Sequence, residues 1–339
     1  MKALRSVENI GSNMNVVLRI DSDLPMNEGV VLDNSRIKKS LNTIKLLLGK
    51  ENKLIILGHL GRPKGRDKEC SLKPVYLELM SLLEPDGEDL VKSVFVEKID
   101  KNLIDEKLQS NQLVFVENVR FWEEEEKGEF KFLEPIIQLA QAYVNDAFAV
   151  AHRKNASTML FKKIKGYYGL SFVEETEKIL RVIQNPERPL TVVLGGAKKD
   201  KLGYLPNLEK IADNILVGGK LPDYISKEFE SEKVVVGEFD ESGLDISQST
   251  IDRFKEYIYS SKTIIWAGAM GFYESENERR GTEAIARAIA ESGAYSIVAG
   301  GDTTASIASL GLKERVNFVA SGGGVMLELL TKGTLPTWE

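Results

Sequence analysis

Arginines follow several apolar segments of the chain, at the points where those segments end. The strings are RIDSDLP (19–25), GHLGRP (58–63), ENVRF (117–121) and NDAFAVAHR (145–153). If the segments are parallel strands, their carboxyl ends share one edge of a sheet, where open α/β sheets bind ligands. The cations that would then converge are Arg19, His59, Arg62, Arg120 and Arg153. Such a cluster favours an anionic ligand, although pairing with surface carboxylates would explain any single arginine.

Arg36 lies at an unusual place for a cation. It falls in the first turn of a predicted helix that begins near Asn34 or Ser35, where the helix dipole disfavours positive charge. An anion bound nearby would explain the position. Arg36 therefore joins the predicted anion site.

Glycine-rich strings end the apolar segments in the second half of the chain. They are LGGAKKDK (194–201), VGG (217–219), WAGAMGFYE (266–274), AGGDTT (299–304) and SGGG (321–324). Glycines at a helix start let backbone N–H groups approach a phosphate. Lys198 and Lys201 offer point charges for phosphate oxygens, and Asp302 offers a carboxylate for Mg²⁺, directly or through water. The spacing is not that of a Walker A loop, and any single cluster is also typical of a tight turn.

The composition excludes several classes of protein. The 339 residues carry a net charge of −6, which argues against nucleic-acid binding by bulk phosphate neutralisation. The single cysteine, Cys70, excludes an intrachain disulfide and a thiolate zinc cluster and fits a reducing compartment. No apolar run approaches the roughly 18 residues of a membrane span. We therefore expect a cytoplasmic monomer without nucleic-acid or membrane partners.

Short apolar segments alternate with segments of helical periodicity along the whole chain. Predicted strands lie at 16–20, 53–58, 93–96, 112–116 and 141–145 in the first half, and at 190–195, 214–218, 233–237, 262–268, 295–300 and 316–321 in the second. Most are rich in Val and Ile on both faces, as in strands buried within a parallel sheet. The pattern predicts an α/β protein with two doubly wound, Rossmann-like parallel-sheet domains joined by a hinge helix.

A polar, helix-forming segment at 174–189 marks the predicted domain boundary, because Pro186 and Pro189 would end a connecting helix there. We expect an N-terminal domain at 1–170, an interdomain helix and hinge at 171–189, and a C-terminal domain at 190–328. The tail at 329–339 is expected to return to the N-terminal domain. The acidic run Glu123–Glu126 is expected to form a solvated loop.

Eight strings, in this order and over nearly the whole chain, resemble the phosphoglycerate kinase family: RIDSDLP, HLGRPKG, ENVRF, VNDAFAVAHR, LGGAK, WAGAMGFYE, GGDT and SGGGVMLE. The resemblance implies reversible phosphoryl transfer in glycolysis, from 1,3-bisphosphoglycerate to MgADP, giving 3-phosphoglycerate and MgATP. It implies a hinge enzyme whose N-terminal domain binds the phosphoglycerate and whose C-terminal domain binds ATP or ADP with Mg²⁺. No protein nucleophile is needed, because phosphoryl transfer depends on positioning and electrostatic stabilisation.

The matching positions carry the family's site residues onto this sequence. The resemblance implies phosphoglycerate contacts at Asp21, Asp23, Arg36, His59, Leu60, Gly61, Arg62, Arg120 and Arg153. It implies nucleotide contacts at Gly195, Gly196, Lys198, Lys201, Glu274, Gly300, Gly301, Asp302, Thr303 and Thr304, with Glu274 on the ribose and Asp302 on the metal. It implies a catalytic group around the transferring phosphoryl, made of Arg36, Lys198, Gly322, Gly323 and Gly324.

The sequence also departs from the family pattern. The usual D-x-N reads Asp21-Ser22-Asp23, which adds a carboxylate beside an anionic ligand, and W-N-G-P reads W-A-G-A at 266–269. The segment 220–265 is shorter than in relatives. These departures keep an alternative open, a catalytically impaired relative that acts as a phosphoglycerate-binding or regulatory protein. Retention of the catalytic group and of Asp302 favours the enzyme.

Overall fold

The chain forms two α/β units, each built around a six-stranded parallel sheet. The computed structural model describes residues 4–84, 91–226, 229 and 231–338. Unit 1 comprises Met1–Glu174 and Pro336–Glu339, and unit 2 comprises Glu175–Leu335. The two parallel sheets with flanking helices confirm the predicted two-domain α/β fold class. No helix in the described part of the chain is long and apolar enough to cross a membrane.

The strands of unit 1 are β1 (Asn15–Arg19), β2 (Met26–Asn27), β3 (Val30–Val31), β4 (Lys53–Leu57), β5 (Ser93–Val96), β6 (Leu113–Val116), β7 (Ala142–Asn145) and β8 (Gly166–Tyr168). Its helices are α1 (Ser35–Lys39), α2 (Leu41–Gly49), α3 (Lys73–Leu83), α4 (Lys101–Ser110), α5 (Glu123–Lys127) and α6 (Glu134–Ile137). The sheet order is β5-β6-β4-β1-β7-β8, and β2 and β3 form a separate antiparallel hairpin.

The register of unit 1 brings the chemically interesting strings to one edge of its sheet. β1 lies between β4 and β7, and Arg19 at its end pairs with Leu57 and Asn145 at the ends of its neighbours. The residues that follow these strands therefore leave the sheet side by side. Apolar side chains pack on both faces of the sheet, which explains the continuous apolar runs of the central strands.

Helix α7 (Leu170–Gln184) carries the chain from unit 1 into unit 2. The strands of unit 2 are β9 (Leu190–Leu194), β10 (Asn214–Val217), β11 (Val234–Val236), β12 (Thr263–Ala267), β13 (Tyr295–Ala299) and β14 (Phe318–Ala320). Its helices are α8 (Leu205–Ile211), α9 (Gln248–Ser260), α10 (Arg280–Glu291), α11 (Gly301–Ser309) and α12 (Gly323–Lys332). The sheet order is β11-β10-β9-β12-β13-β14, again parallel throughout. One apolar core cluster of this unit includes the fully buried Trp266.

All eleven predicted strands are present, with ends that differ by at most two residues. The sequence analysis missed β8, which has only three residues, and the β2–β3 hairpin. That hairpin turns at Glu28 and Gly29, which both have positive φ angles of 47° and 77°. Positive φ at both central residues is the requirement of a type I′ turn. The structure also contradicts the prediction of a solvated loop at Glu123–Glu126, because these residues form most of helix α5.

Candidate active site

A buried pair, Arg19 and His59, lies at the carboxyl edge of the unit 1 sheet. The Arg19 Nη2 group lies 2.8 Å from His59 Nδ1, and Arg19 Nε donates to Ser157 Oγ at 2.9 Å. Arg19 also donates to the carbonyl of Ile20. Burial lowers the pKa of His59 well below its usual value, and Arg19, Arg120, Arg153 and Arg36 lower it further, in that order. The charges of four arginines therefore disfavour protonation of one imidazole.

The predicted acidic motif lies beside this pair. Asp23 Oδ1 accepts a hydrogen bond from the Gly61 amide at 2.8 Å, and its Oδ2 lies 3.8 Å from His59 Nε2. Asp21 Oδ2 lies 3.5 Å from Arg36 Nη1. Burial raises the pKa of Asp21, against the opposing effect of Arg36. The motif thus combines a buried carboxylate with one whose side chain is 39% exposed.

The remaining predicted cations of unit 1 do not all join this group. Arg120 is buried and donates to the carbonyl of Gly61. Burial lowers its pKa, and the neighbouring charges of Arg19 and Arg153 lower it further. Arg62 is exposed and lines a cavity of about 780 Å³ within the loop 62–70. Leu60, which follows His59 in the sequence, is buried.

Sequence reasoning missed Glu125. Its side chain is 0% exposed and accepts hydrogen bonds from the Ser157 amide at 2.8 Å and from Ser157 Oγ at 2.6 Å. Four consecutive glutamates gave no signal that one of them is buried. Only the face that α5 turns toward the unit 1 core distinguishes Glu125 from the exposed Glu123.

Glycine-rich turns pack against one another at the carboxyl edge of the unit 2 sheet. The Gly195 amide donates to the Ala267 carbonyl at 3.1 Å, and the Gly196 amide donates to the Ala269 carbonyl at 2.7 Å. A Cβ on Gly268, whose φ is 109°, would lie 2.3 Å from the Gly195 carbonyl oxygen. These glycines therefore permit close approach of backbones, and the N–H groups of Gly195 and Gly196 are already used within the unit.

The two predicted lysines differ in environment. Lys201 Nζ donates to the carbonyls of Gly195 at 2.7 Å and Ala267 at 3.1 Å. Burial, with Lys198 as the next cause, lowers the pKa of Lys201 to about 8. Lys198 is exposed. The departures from the family pattern at Ala267 and Ala269 leave these contacts intact, because main-chain carbonyls that any residue supplies accept the hydrogen bonds.

The start of helix α11 carries the predicted metal ligand. Thr303 is buried, and its Oγ1 accepts a hydrogen bond from the Gly268 amide at 3.0 Å. Asp302 is exposed as a residue. Partial desolvation of its carboxylate and the nearby Glu274 raise the pKa of Asp302, and Lys201 opposes this shift. The other three predicted residues of this turn are Gly300, the N-cap, together with Gly301 and Thr304. In the described ranges, no group of three or more His, Cys, Asp or Glu residues is arranged to hold a metal.

Helix α12 begins at Gly323 without a side-chain cap on its N-cap residue, Gly322. The first amides of a helix lack intrahelical acceptors, so an uncapped start favours an anion. Gly324 is exposed there. The preceding residue, Ser321, is held by Glu175, which accepts hydrogen bonds from its amide at 2.8 Å and from its hydroxyl.

The fold is that of a two-domain α/β protein, with cationic side chains at one sheet edge and glycine-rich turns at the other. A sequence profile described as "Phosphoglycerate kinase" matches residues 7–228 and 222–333. The phosphoglycerate kinase of Finegoldia magna is 36% identical over 379 aligned positions, covering 96% of this chain and 95% of the relative. That of Dictyoglomus turgidum is 35% identical over 373 positions, covering 95% and 93%. The chain belongs to the phosphoglycerate kinase family.

Solved structures agree with this membership. The phosphoglycerate kinase from Pyrococcus horikoshii superposes with a TM-score of 0.84 at 25% identity, covering 98% of this chain and 97% of that chain. The one from Coxiella burnetii gives 0.75 at 28% identity, covering 99% and 98%. Phosphoglycerate kinases are kinases that use nucleotide substrates. None of these findings favours the alternative of an impaired relative.

The aligned relative from Finegoldia magna is longer than this chain. The alignment with the Finegoldia magna protein has 379 positions, more than the 339 residues of this chain, so the relative carries residues that this chain lacks. The profile matches in two segments that meet at 222–228. This junction lies inside the segment 220–265, which the sequence analysis expects to be shortened.

Proposed function

We propose that the chain catalyses reversible phosphoryl transfer between 1,3-bisphosphoglycerate and MgADP, giving 3-phosphoglycerate and MgATP. The observation that carries the proposal is the buried Arg19–His59 pair at the sheet edge, with Arg120 bonded to the adjacent Gly61 carbonyl, in a chain of net charge −6. Concentrated positive charge attracts a ligand that bears phosphate groups. Family membership supports the same reaction.

Phosphoglycerate binding is assigned to unit 1. Arg36, Arg120 and Arg153 supply positive charge, and His59 supplies a hydrogen-bond donor between them. The Gly61 amide is fixed by Asp23, which orders the loop that follows His59. The complete set of proposed contacts in unit 1 is Asp21, Asp23, Arg36, His59, Leu60, Gly61, Arg62, Arg120 and Arg153.

Nucleotide binding is assigned to unit 2. Lys198 is exposed and free to reach a phosphate, whereas Lys201 supports the glycine turns from within. Glu274 is exposed near Asp302, in keeping with a ribose contact. The further proposed contacts are Gly195, Gly196, Gly300, Gly301, Thr303 and Thr304.

Asp302 is proposed to hold Mg²⁺ together with the nucleotide phosphates. The donor set fits, because its carboxylate is exposed at the start of α11 and Mg²⁺ is usually bound by one or two carboxylates with substrate phosphates and water. When bound, the ion neutralises charge on the transferring phosphate.

The chain's contribution to catalysis is charge stabilisation and positioning. We assign to Arg36 in unit 1, and to Lys198 and the Gly322–Gly324 helix start in unit 2, the stabilisation of the transferring phosphoryl group. Preorganised positive charge of this kind lowers the barrier without a covalent intermediate. The exposed start of α12 supplies backbone N–H groups for the same purpose.

A coupled assay with 3-phosphoglycerate and MgATP tests the proposal. Arg36→Ala should lower kcat roughly 10²-fold or more, in the range of arginines that act on a transferring phosphate. Arg253→Ala, at an exposed position of α9, is the matched control and should leave kcat unchanged. A wild-type protein with no turnover above Arg36→Ala would instead support the impaired relative.

Calorimetric titration tests the assignment of ligands to units. Arg36→Ala should weaken 3-phosphoglycerate binding and leave MgADP binding unchanged, whereas Lys198→Ala should do the reverse. If either variant weakens both ligands equally, the division of ligands between the units is wrong. It stays a prediction that the protein is a cytoplasmic monomer that acts on small molecules. Light scattering tests the predicted oligomeric state.

A further inference from the structure

Four polar side chains form a continuous buried hydrogen-bonded series in unit 1. Glu125 accepts from Ser157 Oγ at 2.6 Å, Ser157 Oγ accepts from Arg19 Nε at 2.9 Å, and Arg19 Nη2 lies 2.8 Å from His59 Nδ1. The four residues come from α5, from the segment after β7, from β1 and from the segment after β4. All four are buried. We call this series the Glu125 relay.

The chemistry of the donors fixes the direction of every bond in the relay. A guanidinium only donates, so Ser157 Oγ must accept from Arg19 and can direct its single proton to Glu125. For the same reason His59 Nδ1 must accept from Arg19 and carries no proton. The ring proton is then on Nε2, the atom that lies 3.8 Å from the Asp23 carboxylate.

Arg19 needs a negative partner because it is buried without a direct carboxylate contact. Among the charges that act on it, Glu125 is the one that most favours its charged form, ahead of Asp21 and Asp23. Asp21 faces Arg36, and Asp23 Oδ1 is taken by the Gly61 amide. Glu125 is thus the carboxylate that the fold provides for Arg19.

We propose that Glu125 is a positioning residue that, through Ser157 and Arg19, holds His59 neutral and protonated at Nε2, ready to donate a hydrogen bond to the phosphoglycerate. The role of His59 toward substrate rests on the proposed function, but the relay itself does not. Burial and four arginines keep the pKa of His59 low, which agrees with a neutral ring. A charged ring would set an Nδ1–H against the Arg19 donor.

Nitrogen-15 NMR of the imidazoles tests the relay in the ligand-free protein. The chain has only two histidines, so histidine-selective labelling gives two ring systems, and His152→Gln identifies the signals of His59. We expect one tautomer, with a protonated Nε2 and an unprotonated, hydrogen-bonded Nδ1. A protonated Nδ1, or averaged nitrogens that indicate exchange between tautomers, would overturn the proposal.

Variants then test whether Glu125 maintains this state. Glu125→Gln should shift the His59 Nδ1 signal toward that of a nitrogen without a hydrogen bond. It should also raise the KM for 3-phosphoglycerate about tenfold, because hydrogen bonds to charged groups make a contribution of that order. The KM for MgATP should not change. Glu123→Gln, on the exposed side of the same helix, is the control and should match wild type in every measurement.

Ser157→Ala provides an independent interruption of the relay, should Glu125→Gln not fold. It removes the acceptor of Arg19 Nε and should change the His59 spectrum in the same direction. Unchanged His59 spectra in a folded variant would overturn the proposal, as would failure of both variants to fold, since the role would then be structural. If the spectra behave as expected but 3-phosphoglycerate leaves the wild-type His59 signals unmoved, the relay stands and the proposed substrate site fails.

Discussion

Asp146 offers a test of how burial controls ionisation in unit 1. It follows β7 and accepts hydrogen bonds through Oδ1 from Ser171 Oγ at 2.9 Å and from the Phe172 amide at 3.1 Å, in the first turn of α7. The hydroxyls of Thr43 and Ser40 also favour its charged form. Burial raises the pKa of Asp146 to about 6, against the opposing hydrogen bonds from Ser171 and Phe172. Asp146→Asn keeps the Oδ1 acceptor and removes the ionisation.

The size of the effect follows from the pKa. A folded-state pKa above the unfolded value means that the folded protein binds the proton more tightly. Ionisation therefore destabilises the folded state; the effect is absent below the unfolded value of 3.8 and complete above about 6. Ionisation of Asp146 destabilises the folded state by about 3 kcal/mol at pH 7 and by less than about 1 kcal/mol near pH 4. The free energy of unfolding of Asp146→Asn should therefore rise relative to that of wild type as the pH increases.

Urea unfolding between pH 4 and pH 7 measures the gain. A Trp266→Phe background removes the tryptophan of unit 2, so that the fluorescence of Trp122 and Trp338 reports on unit 1. Asp105→Asn, on the exposed surface of α4, is the control and should track wild type at every pH. If the stability curves of Asp146→Asn and wild type are parallel across this range, any constant offset between them reflects altered hydrogen bonding only. That result would refute the claim that burial raises the pKa of Asp146.

Three further predictions concern single contacts. Asp23→Asn removes a carboxylate from the proposed anion site and should lower the KM for 3-phosphoglycerate about tenfold in the coupled assay; a raised KM would contradict the electrostatic argument. Gly268→Ala places a Cβ 2.3 Å from a carbonyl oxygen and should lower the free energy of unfolding of unit 2 by roughly 3 kcal/mol, whereas Gly203→Ala, in open space, should change it little. Ser321→Ala removes a hydroxyl donor from a buried carboxylate and should cost about 2 kcal/mol in urea unfolding, with an unchanged midpoint as the contrary result.

The fold was predictable because its strands are encoded locally. Strands buried on both faces contain continuous apolar runs, such as residues 54–57 and 192–194, and the glycine turns that follow them mark their ends. The three-residue β8 contains Tyr167 and Tyr168, whose pattern is too short to show a period. Its place in the sheet depends on β7, to which it pairs, and this pairing is a non-local property.

The candidate site was predictable only as far as the sheet topology determines it. Parallel strands deliver their following residues to one edge, and this rule brought Arg19, His59 and Arg120 together. The rule does not state where a long side chain points. It therefore does not distinguish the exposed Arg62 from the buried Arg120, nor does it predict that Lys201 donates to two carbonyls.

The balance of charge in unit 1 explains how an acidic protein can present an anion site. The charges of Arg19, Arg120, Arg153 and Arg36 act on His59. Carboxylates offset part of this charge, because Asp21 lies beside Arg36 and Glu126 lies 3.8 Å from Arg120 Nε. The lowered pKa values of Arg19 and Arg120 show that burial is not fully offset by these partners. In the proposed site, an anionic ligand would add negative charge beside these arginines, and relief of their burial would contribute to its binding free energy. The net charge of −6 does not oppose this, because exposed charges more than about 10 Å away are largely screened at ordinary salt concentration.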